Sequence, residues 1–520
     1  MGMLAAHTTQ SKTNGQSDGR IRSYAPATGE LLGEVPVMSQ AEVRAAVTRA
    51  RRAQESWASL PLDERVSRTL RFRNAIVERE EELSDLLSRE TGKPIHEALL
   101  HELSPAALIA TYFAGKAAEI LAPRELPMML MKQKRSTLHY VPRGVIGIIT
   151  PWNFPFLMPF RDIFIALIAG NGVVLKPSEV TPLIAVKAKD VWDQCGMPAD
   201  LFQVVTGYGQ TGSDLIEAGI NFCIFTGGVA TGRRVAAACG AQLVPCVMEL
   251  GGKAPLIVCK DADVELSARA AVFGGFTNAG QVCVSVERVY AHKDLETDLV
   301  RRMTELTRAL RVGDPAGQNV DVGAIIFPKQ IDVAEAHIAD AVKKGAKIVA
   351  GGKRLPGPGQ FFQPTVLSNC DHSMTVMTEE IFGPVVPVMR VESDEEALRL
   401  ANESHLGLNA YVFTKDREYG ERIAKRVEAG SVLVNDVVVN GGCPETPFGG
   451  IKQSGFGRVM GDDSLREMCN IRLVLVDRVA MGSDNPLWFP YSDRGLSLAR
   501  KLNKAVFGGG GLLKKLSRLL

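Results

Sequence analysis

The feature that most constrains the fold of this sequence is an alternation of short apolar runs with longer amphipathic stretches after Val141. The apolar runs are rich in β-branched residues, as in VIGIIT, GVVLK, FQVVT and FCIFTGG, and glycine stands at many of the joints. Strand and helix repeated in this way predict a parallel sheet wrapped by helices. A second series begins near Ala254 and ends near Val434, so the sequence predicts two doubly wound α/β domains.

The length of the chain agrees with more than one domain, because 520 residues exceed what one hydrophobic core usually supports. Residues 21–130 and 146–250 are expected to form a first domain, and residues 251–437 a second. Two further strand-like stretches, 131–145 and 470–480, belong to neither series. They are expected to form a small β arm, by pairing with each other or with another subunit.

The two ends of the chain differ from its body. Residues 1–20 lack the charged start and apolar stretch of a secretory signal, and we expect a flexible arm. Residues 485–520 are expected to form an amphipathic tail. Its last part has leucines on one helical face and cations on the other: Leu512, Leu513, Leu516, Leu519 and Leu520 against Lys514, Lys515 and Arg518. This pattern is typical of a helix lying on a membrane surface, and also of one that covers a groove on this chain or on a partner subunit.

Composition argues against several classes of protein. The 60 Lys and Arg residues balance 58 Asp and Glu residues, so no one-signed surface for nucleic acid is expected. The nine cysteines form no Cys-x-x-Cys pair, and the eight histidines show no ligand spacing. Disulfides and metal sites are therefore disfavoured, and a reducing, cytoplasmic location is expected. No apolar run approaches the roughly 20 residues that cross a bilayer.

Three short fragments contain residues suited to covalent catalysis. Cys283 follows a glycine-containing stretch, FTNAGQVC, where a nucleophilic thiolate would need an exposed site that lowers its pKa. Glu249 stands in an apolar segment before two glycines, so burial is expected to raise its pKa and make it a general base. Asn153 lies in TPWNFP between aromatic residues, as a rigid amide donor for an oxyanion hole would.

Seven motifs occur together and in order: PWNFP, KPSE, FTGG, MELGGKAP, GQVC, EEIFGPV and PFGGIKQSGFGR. In order and spacing they resemble those of the aldehyde dehydrogenase superfamily, from about Ile21 to about Arg478. The resemblance implies that Cys283 attacks an aldehyde, with Asn153 and the Cys283 amide holding the oxyanion. It also implies hydride transfer to a nicotinamide, and hydrolysis of the resulting thioester by water that Glu249 activates.

The resemblance further implies a dinucleotide site. It assigns Lys176 and Glu179 to the adenosine ribose, and Glu380 and Phe382 to the nicotinamide end. Because a carboxylate at Glu179 accepts from a 2′-hydroxyl and repels a 2′-phosphate, NAD is preferred, with NADP as the alternative. The remaining cofactor residues implied are Thr150, Pro151, Trp152, Gly209, Thr226, Gly227, Gly228 and Leu250.

One glycine motif admits two interpretations. GYGQTG, from Gly207 to Gly212, matches the G-x-G-x-x-G pattern after a strand, but no acidic residue follows in the expected context. The resemblance instead puts the pyrophosphate at Gly227 and Gly228, before a helix expected near Thr231. Gly209 is then expected on the adenine side.

Two positions depart from the family pattern near the reaction centre. Gly228 stands where a serine is common, which removes a hydroxyl near the phosphates. Val459 stands where a glutamate is common, which removes a carboxylate that could relay a proton to Glu249. Both departures are expected to tune affinity or thioester hydrolysis without abolishing the chemistry.

The resemblance also identifies a substrate funnel, formed by Phe154, Met158, Arg161, Val282, Val284 and Phe448. Arg161 matches a carboxylate-binding position of succinic semialdehyde dehydrogenases, but the second arginine of that site would fall at Thr277. Arg161 can equally be an ion-pair partner behind the funnel. The apolar funnel, the Val434–Asp436 stretch and the tail resemble fatty-aldehyde dehydrogenases.

We therefore expect oxidation of a medium- or long-chain aliphatic or aromatic aldehyde to a carboxylic acid. A succinic semialdehyde dehydrogenase and a coenzyme A-acylating enzyme are the alternatives. The resemblance suggests a homodimer or homotetramer. The tail suggests peripheral contact with the inner face of the membrane.

Overall fold

The computed structural model describes residues 19–317, 319–479 and 488–508. The leucine-rich face expected at 512–520 and nearly all of the N-terminal arm expected at 1–20 lie outside the described residues. The chain divides into two compact units. One comprises Met1–Ala122 with Tyr140–Asn470, and the other Pro123–His139 with Ile471–Leu520.

The described residues from 19 to 144 are mainly helical. Ser39 starts the first helix with a capping box. The Ser39 side chain accepts from the Glu42 amide, and the Glu42 side chain accepts from the Ser39 amide. In chain order the elements are β1 (Arg20–Tyr24), β2 (Leu31–Pro36), α1 (Gln40–Ala58), α2 (Leu62–Glu78), α3 (Glu80–Thr91), α4 (Ile95–Ala98), a π-helical turn (Leu99–Leu103), α5 (Ser104–Ile120), β3 (Arg124–Leu126) and β4 (Lys134–Pro142).

A parallel sheet with helical crossovers follows, as the first series of apolar runs predicts. Its elements are β5 (Val145–Ile149), α6 (Leu157–Ala169), β6 (Gly172–Lys176), α7 (Leu183–Gln194), β7 (Phe202–Val204), α8 (Gly209–Glu217), β8 (Phe222–Thr226), α9 (Val229–Ala241) and β9 (Cys246–Glu249). Every residue of β5 and β6 is buried, which explains why these strands are apolar at consecutive positions.

The strand order of this sheet fixes where a ligand can bind. The order is β9-β8-β5-β6-β7, so β5 has β6 on one side and β8 on the other, both parallel to it. Successive strands are therefore added first on one side of β5 and then on the other, so the strand order reverses between β5 and β8. In such sheets the crevice at the carboxyl ends of the two strands that flank the reversal is the usual binding site. Here those ends lead into Thr150 and Gly227.

The second series of runs forms a seven-stranded sheet of order β12-β13-β14-β11-β10-β16-β17. Its strands are parallel except for the pairing of β12 with β13. This part of the chain contains β10 (Ala254–Val258), α10 (Val264–Phe276), β11 (Val286–His292), α11 (Glu296–Ala309), α12 (Lys329–Lys343), β12 (Lys347–Ala350), β13 (Thr365–Ser368), α13 (Thr375–Thr378), β14 (Val385–Val391), α14 (Asp394–Asn402), β15 (Leu406–Gly407), β16 (Asn409–Phe413), α15 (Arg417–Ala424) and β17 (Ser431–Val434).

The last elements return to earlier strands. They are β18 (Ile451–Lys452), β19 (Gly455–Phe456), α16 (Gly461–Glu467), β20 (Cys469–Asp477) and α17 (Asp493–Phe507). β18 pairs with β15, and β19 adds a sixth, antiparallel strand beside β9. β20, β4 and β3 form a three-stranded sheet, so the two stretches expected to form the arm do pair with each other. The domain boundaries given above stay predictions.

Helix α6 lies in the hydrophobic core between the first sheet and its helices, and all 13 of its residues are buried. Phe160 stacks on Phe156 at 4.3 Å between ring centroids, and its ring also meets Phe72 at 6.0 Å and Phe202 at 6.1 Å. Because α6 begins directly after the TPWNFP segment, its packing also fixes the position of Asn153.

We predict that Phe160→Ala lowers the free energy of unfolding by about 3–5 kcal/mol, because it removes a fully buried ring and leaves a cavity. Chemical denaturation followed by fluorescence measures the change. Leu243→Ala is the matched control, since the Leu243 side chain is 90 % exposed. Equal stability of the two variants would contradict this account of the core.

Candidate active site

A single cavity of about 940 Å³ contains the three residues singled out for covalent chemistry: Cys283, Glu249 and Asn153. They come from three separate parts of the chain. Asn153 follows β5, Glu249 ends β9, and Cys283 precedes β11. The fold therefore brings together a thiol, a carboxyl and an amide that are distant in sequence.

Cys283 stands after a tightly wound segment. Asn278 and Ala279 have φ values of 49° and 54°, and Gly280 has φ +72°. A Cβ at Gly280 would lie 2.3 Å from the Gly383 carbonyl oxygen, so glycine is required there by both conformation and space. The Gln281 side chain accepts from the Ile326 amide at 2.8 Å. These contacts hold the backbone just before the thiol.

The expectation of a lowered thiol pKa is wrong for this structure. Burial, followed by the neighbouring carboxyls of Glu249 and Glu380, raises the pKa of Cys283 to about 12, although Arg161 acts in the opposite direction. Desolvation disfavours the thiolate more than the single cation favours it. The thiol is therefore protonated near neutral pH and needs a base.

Glu249 is in the environment expected from its apolar segment. Its side chain is buried, and neither carboxyl oxygen has a hydrogen-bond partner among the described residues. Burial raises its pKa to about 8, although Arg161 and Arg458 act in the opposite direction. A carboxyl with this pKa can accept a proton near neutral pH and release it again.

The two glycines after Glu249 are needed for close approach. A Cβ at Gly252 would lie 2.2 Å from the Cys283 carbonyl oxygen, and one at Gly251 would lie 2.5 Å from a carboxyl oxygen of Glu380. The Gly252 amide also donates to Glu380 at 3.0 Å. The segment that joins the two sheets thus passes directly against the nucleophile.

Asn153 is held by its backbone carbonyl, which accepts from Lys93 Nζ at 2.8 Å and from Asn278 Nδ2 at 3.0 Å. Its side-chain amide donates to the Gln281 carbonyl at 2.9 Å, next to the Cys283 segment. An asparagine amide has two N–H donors, so it can also donate to an oxyanion.

Sequence reasoning missed Lys93 and Glu102, which form a fully buried ion pair beneath Asn153. The second Glu102 oxygen accepts from the amides of Phe156 and Leu157, at the start of α6. Lys93 Nζ also lies 4.4 Å from the centre of the Phe154 ring. The signal in the sequence is weak: a lysine before proline, and a glutamate in the apolar run LLHEL.

A second buried ion pair is formed by Lys253 and Glu287. Lys253 Nζ is 2.8 Å from Glu287, and Glu287 accepts from the amides of Ile381 and Phe382. This pair fixes the segment that carries Glu380. Burial and the nearby Glu287 raise the pKa of Glu380 to about 8.

Eight of the twelve expected cofactor residues line the cavity: Pro151, Trp152, Thr226, Gly227, Gly228, Leu250, Glu380 and Phe382. They lie around the switch point between β5 and β8. The Thr226 hydroxyl is buried without a partner among the described residues, and a Cβ at Gly228 would meet open space. Gly228 caps α9 without a side-chain bond, so the first backbone N–H groups of the helix are left for another acceptor. A dinucleotide phosphate fits these donors.

The other four expected cofactor residues do not line this cavity. Thr150 and Lys176 are at the carboxyl ends of β5 and β6, where the Thr150 amide donates to the Lys176 carbonyl at 3.2 Å. Lys176 Nζ lies 3.4 Å from the half-exposed Glu179 carboxylate. Gly209 begins α8. The helix expected near Thr231 begins slightly earlier, at Val229.

All six residues expected in the substrate funnel line the same cavity: Phe154, Met158, Arg161, Val282, Val284 and Phe448. Arg161 is buried, and its guanidinium makes two bonds to the Asp162 carboxylate, at 2.9 and 3.1 Å. Thr277, at the position of the absent second arginine, donates to Glu97 at 2.8 Å.

The outer wall of the cavity was not predicted. It comes from the π-helical turn, α5, α10 and the segment after β17, which supply mostly apolar side chains. Those of Leu100, Leu108, Phe273 and Val439 are about half exposed at the wall. His101 also lines it, and burial lowers the pKa of this imidazole. No local pattern marks these residues, because only the fold brings their elements together.

One departure from the family pattern has a visible packing role. Val459 is buried and pairs with Phe448 through two backbone bonds, of 2.7 and 2.8 Å. Its neighbour Arg458 provides a cation near Glu249. The positive charge of Arg458 therefore favours the ionised form of Glu249. Position 459 itself provides no carboxylate.

We predict that Glu249→Gln lowers the pKa of the Cys283 thiol, because it removes a carboxylate that disfavours the thiolate. Alkylation of Cys283 by iodoacetamide between pH 8 and 11, followed by peptide mass spectrometry, measures this. At a given pH the variant should react faster than the native protein. The exposed Glu78→Gln is the control, and unchanged reactivity in Glu249→Gln would refute the coupling.

The comparisons with known proteins agree on one family. Residues 13–474 match the model described as the aldehyde dehydrogenase family. A "4,4'-diapolycopene aldehyde oxidase" of Methylomonas sp is 37 % identical over 95 % of this chain and 93 % of its own length. A "Putative succinate-semialdehyde dehydrogenase [NADP(+)] 2" of Mycobacterium ulcerans is 37 % identical over 89 % of each chain. The NAD+ complex of an aldehyde dehydrogenase from Bacillus cereus is 33 % identical, with a TM-score of 0.85 over 88 % of this chain and 93 % of that one.

Proposed function

Since this chain belongs to the aldehyde dehydrogenase family, and is therefore an oxidoreductase that acts on aldehydes, we propose that it converts an apolar aldehyde to the free carboxylic acid through a thioester on Cys283. The observation that carries this proposal is the meeting of Cys283, Glu249 and Asn153 in one cavity, beside donors suited to a dinucleotide.

In the first step, the sulfur of Cys283 adds to the aldehyde carbon. The thiol proton passes to Glu249, whose raised pKa makes it a competent acceptor. The aldehyde oxygen becomes an oxyanion, which the Asn153 side chain and the Cys283 amide stabilise by hydrogen bonds. The nicotinamide supplies the hydride acceptor when it is bound, and loss of hydride from the adduct leaves a thioester.

In the second step, water hydrolyses the thioester. Glu249, having released its first proton, takes one from the attacking water, and the thiolate of Cys283 leaves and is reprotonated. The product is a free acid. The two oxygens of Glu249 have no hydrogen-bond partner in the described part of the chain, which supports this role over transfer to coenzyme A, because they are free to orient a water molecule.

The cofactor is NAD or NADP. We infer a preference for NAD, since the Glu179 carboxylate lies near the end of β6 beside Lys176, where it would accept from a ribose hydroxyl and repel a 2′-phosphate. Glu380 and Phe382 would hold the nicotinamide end, and the start of α9 the pyrophosphate.

We predict that Glu249→Gln lowers kcat by about 10²–10⁴-fold, as loss of a general base usually does. In the native enzyme kcat should rise with pH through about 8, because only the ionised carboxyl accepts a proton. The variant should lose this rise, with NADH formation measured from pH 6 to 9.5. Cys283→Ala is the blank.

Glu380→Gln tests the assignment, because the pKa of Glu380 is also raised to about 8. If the pH dependence disappears in Glu380→Gln and persists in Glu249→Gln, then Glu249 is not the base. Acid formation that requires added coenzyme A would instead favour the acylating alternative.

The substrate class follows from the character of the funnel. Arg161 is the cation that could anchor a distal carboxylate, but Asp162 already binds its guanidinium. At the second position, Thr277 has no charge and donates to Glu97, so it provides no cation for a distal carboxylate. The outer wall is apolar. These contacts support a medium- or long-chain apolar aldehyde over succinic semialdehyde.

We predict that kcat/KM rises from propanal to decanal by roughly fourfold per methylene until the chain fills the cavity. Leu108→Gln should reduce kcat/KM for decanal and leave propanal unchanged, since Leu108 lines only the outer wall. Leu243→Gln, far out on the surface, is the control. A kcat/KM that is highest for succinic semialdehyde would overturn the proposed substrate class.

We further propose a homodimer or homotetramer joined partly through the sheet of β3, β4 and β20. Ile471, Leu473 and Leu475 of β20 are exposed, which supports burial against another subunit. We propose a cytoplasmic enzyme with peripheral contact at the inner face of the membrane through residues 485–520.

A further inference from the structure

The described part of the 485–520 tail contains a helix with an unpartnered apolar side. Ser492 caps α17 by accepting from the Gly495 amide at 3.1 Å, and only Gly495 of this helix is buried. At 100° per residue, the apolar side chains fall on one side of α17: Leu496, Leu498, Ala499, Leu502, Ala505, Val506 and Phe507. The helix thus presents hydrocarbon to its surroundings.

The opposite side of α17 is basic. It carries Arg494, Arg500, Lys501 and Lys504, against the single carboxylate of Asp493. None of these four cations forms an ion pair with a residue that the structure describes. A basic side next to an apolar side is the pattern of helices that lie in the interface of a bilayer.

An aromatic segment directly precedes the helix. The side chains of Trp488, Phe489 and Tyr491 are 66 %, 82 % and 75 % exposed. Tryptophan and tyrosine favour the headgroup level of a bilayer, where the ring is apolar and its N–H or O–H is hydrated. We call these three residues, with Leu496, Leu498, Leu502 and Phe507, the aromatic–leucine surface.

We propose that the aromatic–leucine surface binds the interface of an anionic lipid bilayer. The cations of α17 favour this occupant, because anionic headgroups attract basic residues near the surface. Among the described residues, no helix is long and apolar enough to cross a bilayer. The surface would attach the protein to the lipid face, where an apolar aldehyde partitions.

The test uses the full-length protein and vesicle cosedimentation. The protein should bind vesicles of phosphatidylcholine and phosphatidylglycerol more tightly than vesicles of phosphatidylcholine alone, and salt should weaken binding. Lys501→Gln with Lys504→Gln should weaken binding to anionic vesicles by roughly thirtyfold. Leu498→Gln with Leu502→Gln should weaken it on both kinds of vesicle. Leu243→Gln, an exposed leucine elsewhere, should have no effect.

Two controls separate this proposal from the proposed reaction. Every variant is assayed with propanal without vesicles, and equal activity shows that the enzyme is folded whether or not it binds lipid. Sedimentation velocity reports the oligomeric state. Absence of native binding to anionic vesicles, or a Leu498/Leu502 variant that changes oligomeric state but keeps its vesicle affinity, would overturn the proposal. In the second case the surface is a subunit interface.

Discussion

Carboxylates that are wholly or partly buried accept backbone N–H groups from segments at the cavity and behind it. Glu102 binds the first amides of α6, Glu287 binds those before Gly383, and Glu97 binds the Asn278 amide. Glu90 does the same for the first amides of α7. Each carboxylate accepts a hydrogen bond from an N–H group that would otherwise need water. At the start of a helix, its negative charge also interacts favourably with the helix dipole. These hydrogen bonds position loops around the site that contain no long helix or strand of their own.

Two of these carboxylates are neutralised by buried lysines, and the other two are not. Lys93 compensates Glu102, and Lys253 compensates Glu287. Removing one partner of such a pair typically costs about 3–5 kcal/mol, because a charge stays buried alone. Burial raises the pKa of Glu90 to about 7, and it raises the pKa of Glu97 as well. Burial therefore acts on the pKa of Glu90 and Glu97 in the same direction as on that of Glu249.

Local patterns in the sequence predicted the parallel strands and the three residues proposed for catalysis. Runs such as GVVLK identify buried parallel strands, and the motifs around Asn153, Glu249 and Cys283 gave residues that the fold brings to one cavity. The sequence did not predict Lys93 with Glu102, because their significance lies in contacts with a segment some fifty residues away. The outer wall was missed for the same reason. The thiol pKa was misjudged, since the sequence does not reveal how far Cys283 is buried or that the carboxyls of Glu249 and Glu380 lie near it. The catalytic roles and domain boundaries remain predictions.

The same desolvation has a consequence for chemical damage. Peroxides and disulfides react with a thiolate far faster than with a thiol, and oxidation beyond the sulfenic acid is not readily reversed. At neutral pH a sulfur with a pKa of about 12 is almost entirely in its unreactive form. The Cys283 thiol should therefore resist such oxidants at neutral pH for as long as it stays protonated.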